Sequence, residues 1–215
     1  MKRSLVPILL AMSLLLSGCP DTTSRSQAVY LLLDSSGTYR NELKRAQSII
    51  NYLLGTLQSG DSLALARIDS GSFSEKDIVA KVTFDRRPSV ANRQKRLFKE
   101  KVDKFVARAK GSAYTDITGG VLQAVEYLNE TGAGKRYILI FSDLKEELAK
   151  GHVRDFPISL SRCNVVALNV TKLRSDNVDP REYYKRVEAW KERVEAGGGR
   201  WRLVNDLERL EAILR

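Results

Sequence analysis

Histidine occurs once in this 215-residue chain, cysteine twice, and aromatic residues amount to 7%. The single histidine, His152, sits in a polar stretch and excludes a multi-histidine zinc centre. No nucleophile-elbow pattern surrounds it, which removes the usual basis for serine-based hydrolysis. After residue 20 no run is long and apolar enough to span a bilayer, and there is no internal repeat or low-complexity stretch. Acidic residues are the minority charge, 26 against 36 basic ones, for a net charge of +10. The length suits one domain able to bury a full core without disulfide staples, and 43% hydrophobic residues supply that core.

The first residues differ in kind from the rest. Lys2 and Arg3 form a positive start, residues 5–16 a short apolar stretch, and Leu16-Ser17-Gly18-Cys19 follows at once. A charged start, a brief apolar run and small residues at the cut describe a secretory signal over residues 1–18. The sequence around Cys19 resembles the processing site of bacterial lipoproteins. That resemblance implies cleavage before Cys19 and acylation of its thiol and amine, with residues 19–27 as lipidated Cys and polar tether. Two or more acyl chains hold a protein stably on a membrane where one does not. The expected location is the bacterial cell envelope, facing the periplasm or the exterior. Loss of Lys2 and Arg3 leaves a charge of about +8. Cys163 then has no disulfide partner; it lies in an apolar stretch and reads as a small core residue, Arg162 alone being weak support for a reactive thiol.

From residue 28 the pattern alternates strand and helix. Residues 28–33 are a continuous apolar run ending at Asp34, as in a strand buried on both faces. Leu43, Ala46, Ile50, Leu53 and Leu57 recur at helical spacing. Residues 62–68 and 78–84 read as strands with no room for a helical crossover between them, so they are expected to pair antiparallel at one edge of the sheet. Val90, Leu97, Val102, Phe105, Val106 and Ala109 form the predicted apolar stripe of the next helix, whose other face is basic. A helix follows over 119–129, strands over 137–141 and 163–170, a helix from Pro180 to Ala196 stopped by three glycines, a short edge strand over 200–204 and a terminal helix carrying Leu207, Leu210 and Ile213. Strands alternating with helices predict an α/β domain over residues 28–215: an open, mostly parallel, doubly wound sheet with one antiparallel edge strand and helices on both faces.

In open sheets of this kind ligands bind in the crevice outside the carboxyl ends of the strands. There the sequence places Asp34-Ser35-Ser36-Gly37-Thr38 after the first strand, Thr115-Asp116-Ile117-Thr118-Gly119-Gly120 before the mid-chain helix, and Ser142-Asp143 after the 137–141 strand. Asp34, Ser36, Thr38, Thr115 and Asp143 all carry hard oxygen donors, which suit Mg²⁺, Mn²⁺ or Ca²⁺ and not zinc or copper. Asp34, Ser36 and Thr38 stand at i, i+2 and i+4, and Gly37 lets the segment bend tightly.

These three elements, in this order, resemble the metal-ion-dependent adhesion site of von Willebrand factor type A domains. The first reads Asp34-x-Ser36-x-Thr38, with Thr for the family's final Ser. Thr115 stands at the loop Thr of the second, with Tyr114 where the family has Gly. Asp143 stands in the third, where Leu144 replaces a Gly. The resemblance extends from about Ala28 to the terminal helix. It implies a Rossmann-like domain that binds proteins and is not an enzyme. Its five side chains would hold a divalent cation, Mg²⁺ first, with one position left for an Asp or Glu of another envelope or secreted protein. Nucleic acid and small-molecule substrates are not expected.

Two other readings start from the same residues. Residues 31–38 also resemble the first motif of haloacid-dehalogenase-type phosphatases, but Ser36 replaces the second acid and no later Gly-Asp-x-x-x-Asp follows. The basic face of the helix near residues 93–110 offers contact with anionic lipid or cell-wall polymer.

Overall fold

The apolar runs at 28–33, 62–68, 137–141 and 163–168 become strands of one six-stranded sheet. The computed structural model describes residues 25–36, 42–69, 71, 73–109, 111–206 and 211. The expected signal segment, the expected lipidation site Cys19, the expected metal ligand Thr38 and the residues Leu207, Leu210 and Ile213 of the expected terminal helix lie outside the described residues.

The elements are β1 (Gln27–Asp34), α1 (Leu43–Thr56), β2 (Ser62–Ile68), β3 (Ile78–Thr83), α2 (Pro88–Arg108), α3 (Ile117–Thr131), β4 (Lys135–Phe141), β5 (Cys163–Leu168), α4 (Arg181–Ala196) and β6 (Arg200–Val204). The strand order is β3-β2-β1-β4-β5-β6. All neighbours pair parallel except β3, which runs antiparallel to β2 at the sheet edge. Among its described residues the connection between these two strands holds a 3₁₀ turn, Glu75–Asp77, and its length is too short for a crossover, so the chain folds back.

β1 lies at the centre and is buried from Ala28 onward. Its alternating side chains feed two separate cores. Val29, Leu31 and Leu33 pack with Ile50 and Leu53 of α1 and Phe98 and Val102 of α2. Ala28, Tyr30 and Leu32 pack with Val121 and Leu128 of α3 and Trp190 and Val194 of α4. Burying each of the large aliphatic side chains stabilises by about 1.5–3 kcal/mol, so a strand that feeds two cores is the least replaceable part of the sheet. Among the described residues no helix is long and apolar enough to cross a membrane.

The observed face of α2 differs from the predicted stripe. Ala91, Phe98 and Val102 are its buried positions, while Leu97 is 50% exposed. Phe98 takes the place expected of Leu97, because the helix turns its Ala91–Phe98–Val102 line toward α1 and β3.

The parallel register brings the carboxyl ends of β1, β2 and β4 side by side: Asp34 stands opposite Ile68, and Leu33 opposite Phe141. Helix α3 lies close over β1 because Gly120 has no side chain; a Cβ there would come within 2.8 Å of a Leu32 methyl. That close approach sets the height at which the loop carrying Thr115 meets the end of β1.

Candidate functional site

Asp34 ends β1 with none of its surface exposed. Its Oδ1 accepts a hydrogen bond from the Ser36 amide at 2.8 Å, and its Oδ2 accepts one from the Ser142 hydroxyl at 2.7 Å. The Ser142 oxygen in turn accepts the Leu144 amide at 3.1 Å. Asp143 is 4% exposed; its Oδ1 accepts the Lys145 amide at 2.9 Å. Among the described residues its Oδ2 takes no hydrogen bond, and neither Asp34 nor Asp143 forms a salt bridge.

The loop before α3 is held from two sides. The Ser112 amide donates to the Ser35 carbonyl at 3.0 Å, and Ser36 bridges to Ser112. Thr115, 4% exposed, exchanges backbone hydrogen bonds of 2.7 and 2.9 Å with Glu147. Thus residues 34–36, 112–116 and 142–147 share one rim of the sheet. Asp34, Ser36, Thr115 and Asp143, chosen on the sequence, all lie on these segments.

Electrostatics sets the character of this rim. Burial pushes the Asp34 carboxyl above its ordinary pKa; hydrogen bonds from Ser142 and Ser36 oppose the shift, and the charge of Glu147 adds to it. Burial likewise raises Asp143; the Lys145 amide opposes this, the Asp34 charge adds to it, and Arg186 and Lys145 oppose it. Two buried carboxyls, each disfavouring the charge of the other, and the neighbouring hydroxyls are all hard oxygen donors. A divalent cation is the species such a set can take up most favourably. Among the described residues no three His, Cys, Asp or Glu side chains cluster as a metal site, so hydroxyl oxygens would have to complete the set.

Asp116 organises the second loop. Its carboxylate caps α3 by accepting the Gly119 amide at 2.8 Å, and it receives three contacts of 2.8–3.2 Å from the Arg154 guanidinium. Gly119 is required here, since a Cβ would stand 2.5 Å from Asp116 Oδ2.

Helix α4 supplies a support that the sequence reading did not single out. Arg186, Trp190 and Arg193, at i, i+4 and i+7, share one face toward the site loops. Arg186 donates to the Asp143 carbonyl at 3.3 Å while gripping Asp176, whose carboxyl the bidentate Arg186 contact lowers to about 2. Trp190 Nε1 donates to the Leu144 carbonyl at 3.2 Å. Arg193 donates to the Thr118 hydroxyl and the Arg154 carbonyl, both at 2.6 Å. Their spacing on one face was the available signal, hidden because an Arg-rich helix reads first as a solvated one.

Leu144 is buried yet has φ 65°, in the left-handed region. This is the position where the resemblance has a glycine; here a leucine occupies a strained backbone. Left-handed backbone costs a non-glycine residue about 1–2 kcal/mol. Leu144→Ala and Leu144→Gly both lose the side chain's packing, but only the second relieves the strain. In urea denaturation Leu144→Gly is expected to exceed Leu144→Ala in stability by about 1 kcal/mol. Equal stability of the two, or a more stable Ala variant, would contradict a strained backbone at this site.

An open, mostly parallel α/β sheet with an oxygen-lined rim at its carboxyl end defines the general class of this domain. No protein-family model matches the chain, and no curated protein does. Solved structures do. A von Willebrand factor type A protein from Catenulispora acidiphila is 13% identical over 88% of this chain and 41% of its own, with a TM-score of 0.52. The pilus adhesin SpaC from Lactobacillus rhamnosus GG is 12% identical over 90% of this chain and 29% of its own, TM-score 0.52. The PilB minor pilin from Streptococcus sanguinis is 12% identical over 90% of this chain and 61% of its own, TM-score 0.50. The chain spans less than two thirds of each of these proteins. The fold is that of a von Willebrand factor type A domain.

Proposed function

We propose that the chain is a cell-envelope adhesion or scaffold domain, anchored by lipid at Cys19, that binds a partner protein through a divalent cation. The cation, Mg²⁺ by preference and Mn²⁺ or Ca²⁺ as alternatives, is held by Asp34, Ser36, Thr38, Thr115 and Asp143. The observation that carries this reading is the buried Asp34 carboxylate, without a salt bridge among the described residues, beside a second carboxylate that repels it. A hard cation held by Asp34, Asp143 and the neighbouring hydroxyls would relieve that repulsion and would supply Lewis acidity toward a carboxylate of the partner. The partner therefore presents an Asp or Glu.

The chain's own residues do the positioning. Ser142 and the Ser36 amide orient the Asp34 carboxylate. The Lys145 amide fixes Asp143, whose backbone Arg186 holds from α4. The backbone bridge between Thr115 and Glu147 sets the height of the Thr115 hydroxyl. Ser36 stands where a phosphatase of similar first motif has its general acid, which favours binding over catalysis. Two neighbours of the same fold are, by name, a pilus adhesin and a minor pilin; a protein-binding role at the cell surface fits that company.

Affinity capture from envelope extract tests the reading. In Mg²⁺ the wild-type protein is expected to retain partners that EDTA releases and that Asp34→Ala never retains. The same proteins held under all three conditions would sink it.

A further inference from the structure

The rim of the sheet continues into a cleft of about 580 Å³ between the C-terminal end of α2 and residues 111–113. Arg67, Asp69, Lys104, Phe105, Arg108 and Ser112 line it. Ser35, next to Asp34, also contributes, and its carbonyl accepts the Ser112 amide. The cleft and the candidate metal site thus share a wall.

Its charges are unequal in standing. Arg67 is engaged by Asp77 at 3.1 Å and by Asp69 at 3.5 Å, and Asp69 also accepts the Ser112 hydroxyl. Lys104 and Arg108 are exposed and take part in no ion pair or hydrogen bond among the described residues. Lys101, one turn earlier on α2, extends the same basic line into a smaller groove beside Lys81 and Leu97. Phe105, half-buried, gives the cleft an apolar wall between cationic ends.

We propose that this cleft receives an acidic segment of the partner protein, the stretch that flanks the carboxylate offered to the cation.

Its volume falls within the ~300–1,000 Å³ of ordinary ligand sites. Lys104 and Arg108, unpaired among the described residues, match carboxylate side chains, and Phe105 matches their aliphatic stems. A protein is favoured over a lipid surface because the cleft sits at the carboxyl end of the strands, whereas the chain enters the sheet at Gln27, the opposite end. The register of the segment rests on the metal-binding reading; the charge of the cleft does not.

Fluorescence anisotropy with a fluorescein-labelled hexaglutamate peptide tests the proposal on the full chain, in Mg²⁺ and in EDTA at low salt. K104E/R108E is expected to weaken binding about tenfold in both conditions, since surface charge reversal acts on a pocket that EDTA leaves intact. R162E/R200E, at the opposite end of the sheet, is expected to change it less than about twofold. EDTA or Asp34→Ala is expected to remove a further increment that K104E/R108E retains. If only that increment fails to appear, the metal-binding reading is wrong and the cleft stands. Equal losses in the two double variants, or unchanged peptide binding by K104E/R108E in EDTA, overturn the cleft. So does a K104E/R108E defect confined to vesicles containing phosphatidylglycerol, which would assign these cations to a membrane.

Discussion

Adding Mg²⁺ at about a hundredfold excess over its dissociation constant is expected to raise the melting temperature by about 5–10 °C, and Asp34→Ala to abolish the rise. The size follows from mass action: a ligand at that excess stabilises the native state by about 2.7 kcal/mol, and a domain of this length shifts by about 2–4 °C per kcal/mol. The sign with pH follows from the two carboxyls. Both have a folded pKa raised above the unfolded one. In the metal-free protein the stability of their neutral forms is therefore complete below the unfolded pKa and is lost as pH rises through the folded one. Asp34→Asn removes a buried charge while its amide can still meet Ser36 and Ser142. It is expected to stabilise the metal-free protein at pH 7 by about 1 kcal/mol and to abolish the response to Mg²⁺. The cation competes with protons for the same oxygens, so the gain from Mg²⁺ shrinks as pH falls toward the ordinary carboxylate range. Differential scanning fluorimetry at several pH values reads all of this. A Mg²⁺ response that survives Asp34→Asn, or grows toward acid pH, would place the cation elsewhere.

The fold was legible because its signals are local and redundant. The continuous apolar strands at 28–33 and 137–141 announce burial on both faces, and the short link between residues 68 and 78 leaves only an antiparallel edge. Strand and helix ends moved by a residue or two, as where β4 begins at Lys135 and α3 at Ile117. The face of α2 was harder, because Leu97 and Phe98 are adjacent apolar residues and only packing against α1 and β3 decides between them. At the site, Asp34 and Asp143 stood out because a carboxylate directly after a buried strand has few bland explanations. Glu147 did not: it belongs to the charged run Lys145-Glu146-Glu147, and its position comes from a backbone bridge to Thr115 that no local pattern encodes. Arg154, Arg186 and Arg193 were hidden for the same reason. Their partners, Asp116, Asp176 and Thr118, are 10–75 residues away in sequence, and a basic chain offers many arginines to choose among.

Asp116→Ala is expected to cost about 3 kcal/mol, or about 6–12 °C in melting temperature. Two losses combine. The N-cap of α3 goes, worth about 1 kcal/mol. The Arg154 guanidinium also loses a bidentate partner that is itself almost wholly buried; because Arg154 is 19% exposed and reaches water, the penalty is less than the ~3–5 kcal/mol of a fully buried broken pair. Arg154→Ala strands the carboxylate instead, though the cap bond to Gly119 remains. The double variant is therefore expected to cost about 1–2 kcal/mol less than the sum of the single ones. Gly119→Ala should mimic the loss by driving a methyl into the Asp116 carboxylate, with no change of charge. The functional consequence separates positioning from mere folding. Thr115 precedes Asp116 and, among the described residues, is held through this loop and the Glu147 bridge. Loosening the loop in a still-folded variant is expected to weaken Mg²⁺ binding about tenfold, the usual scale for residues that orient a ligand without touching the ion. Additive stabilities together with wild-type Mg²⁺ affinity would mean that the Asp116–Arg154 pair holds up the helix and nothing else. The oxygen-lined rim would then owe its shape to β1 and β4 alone.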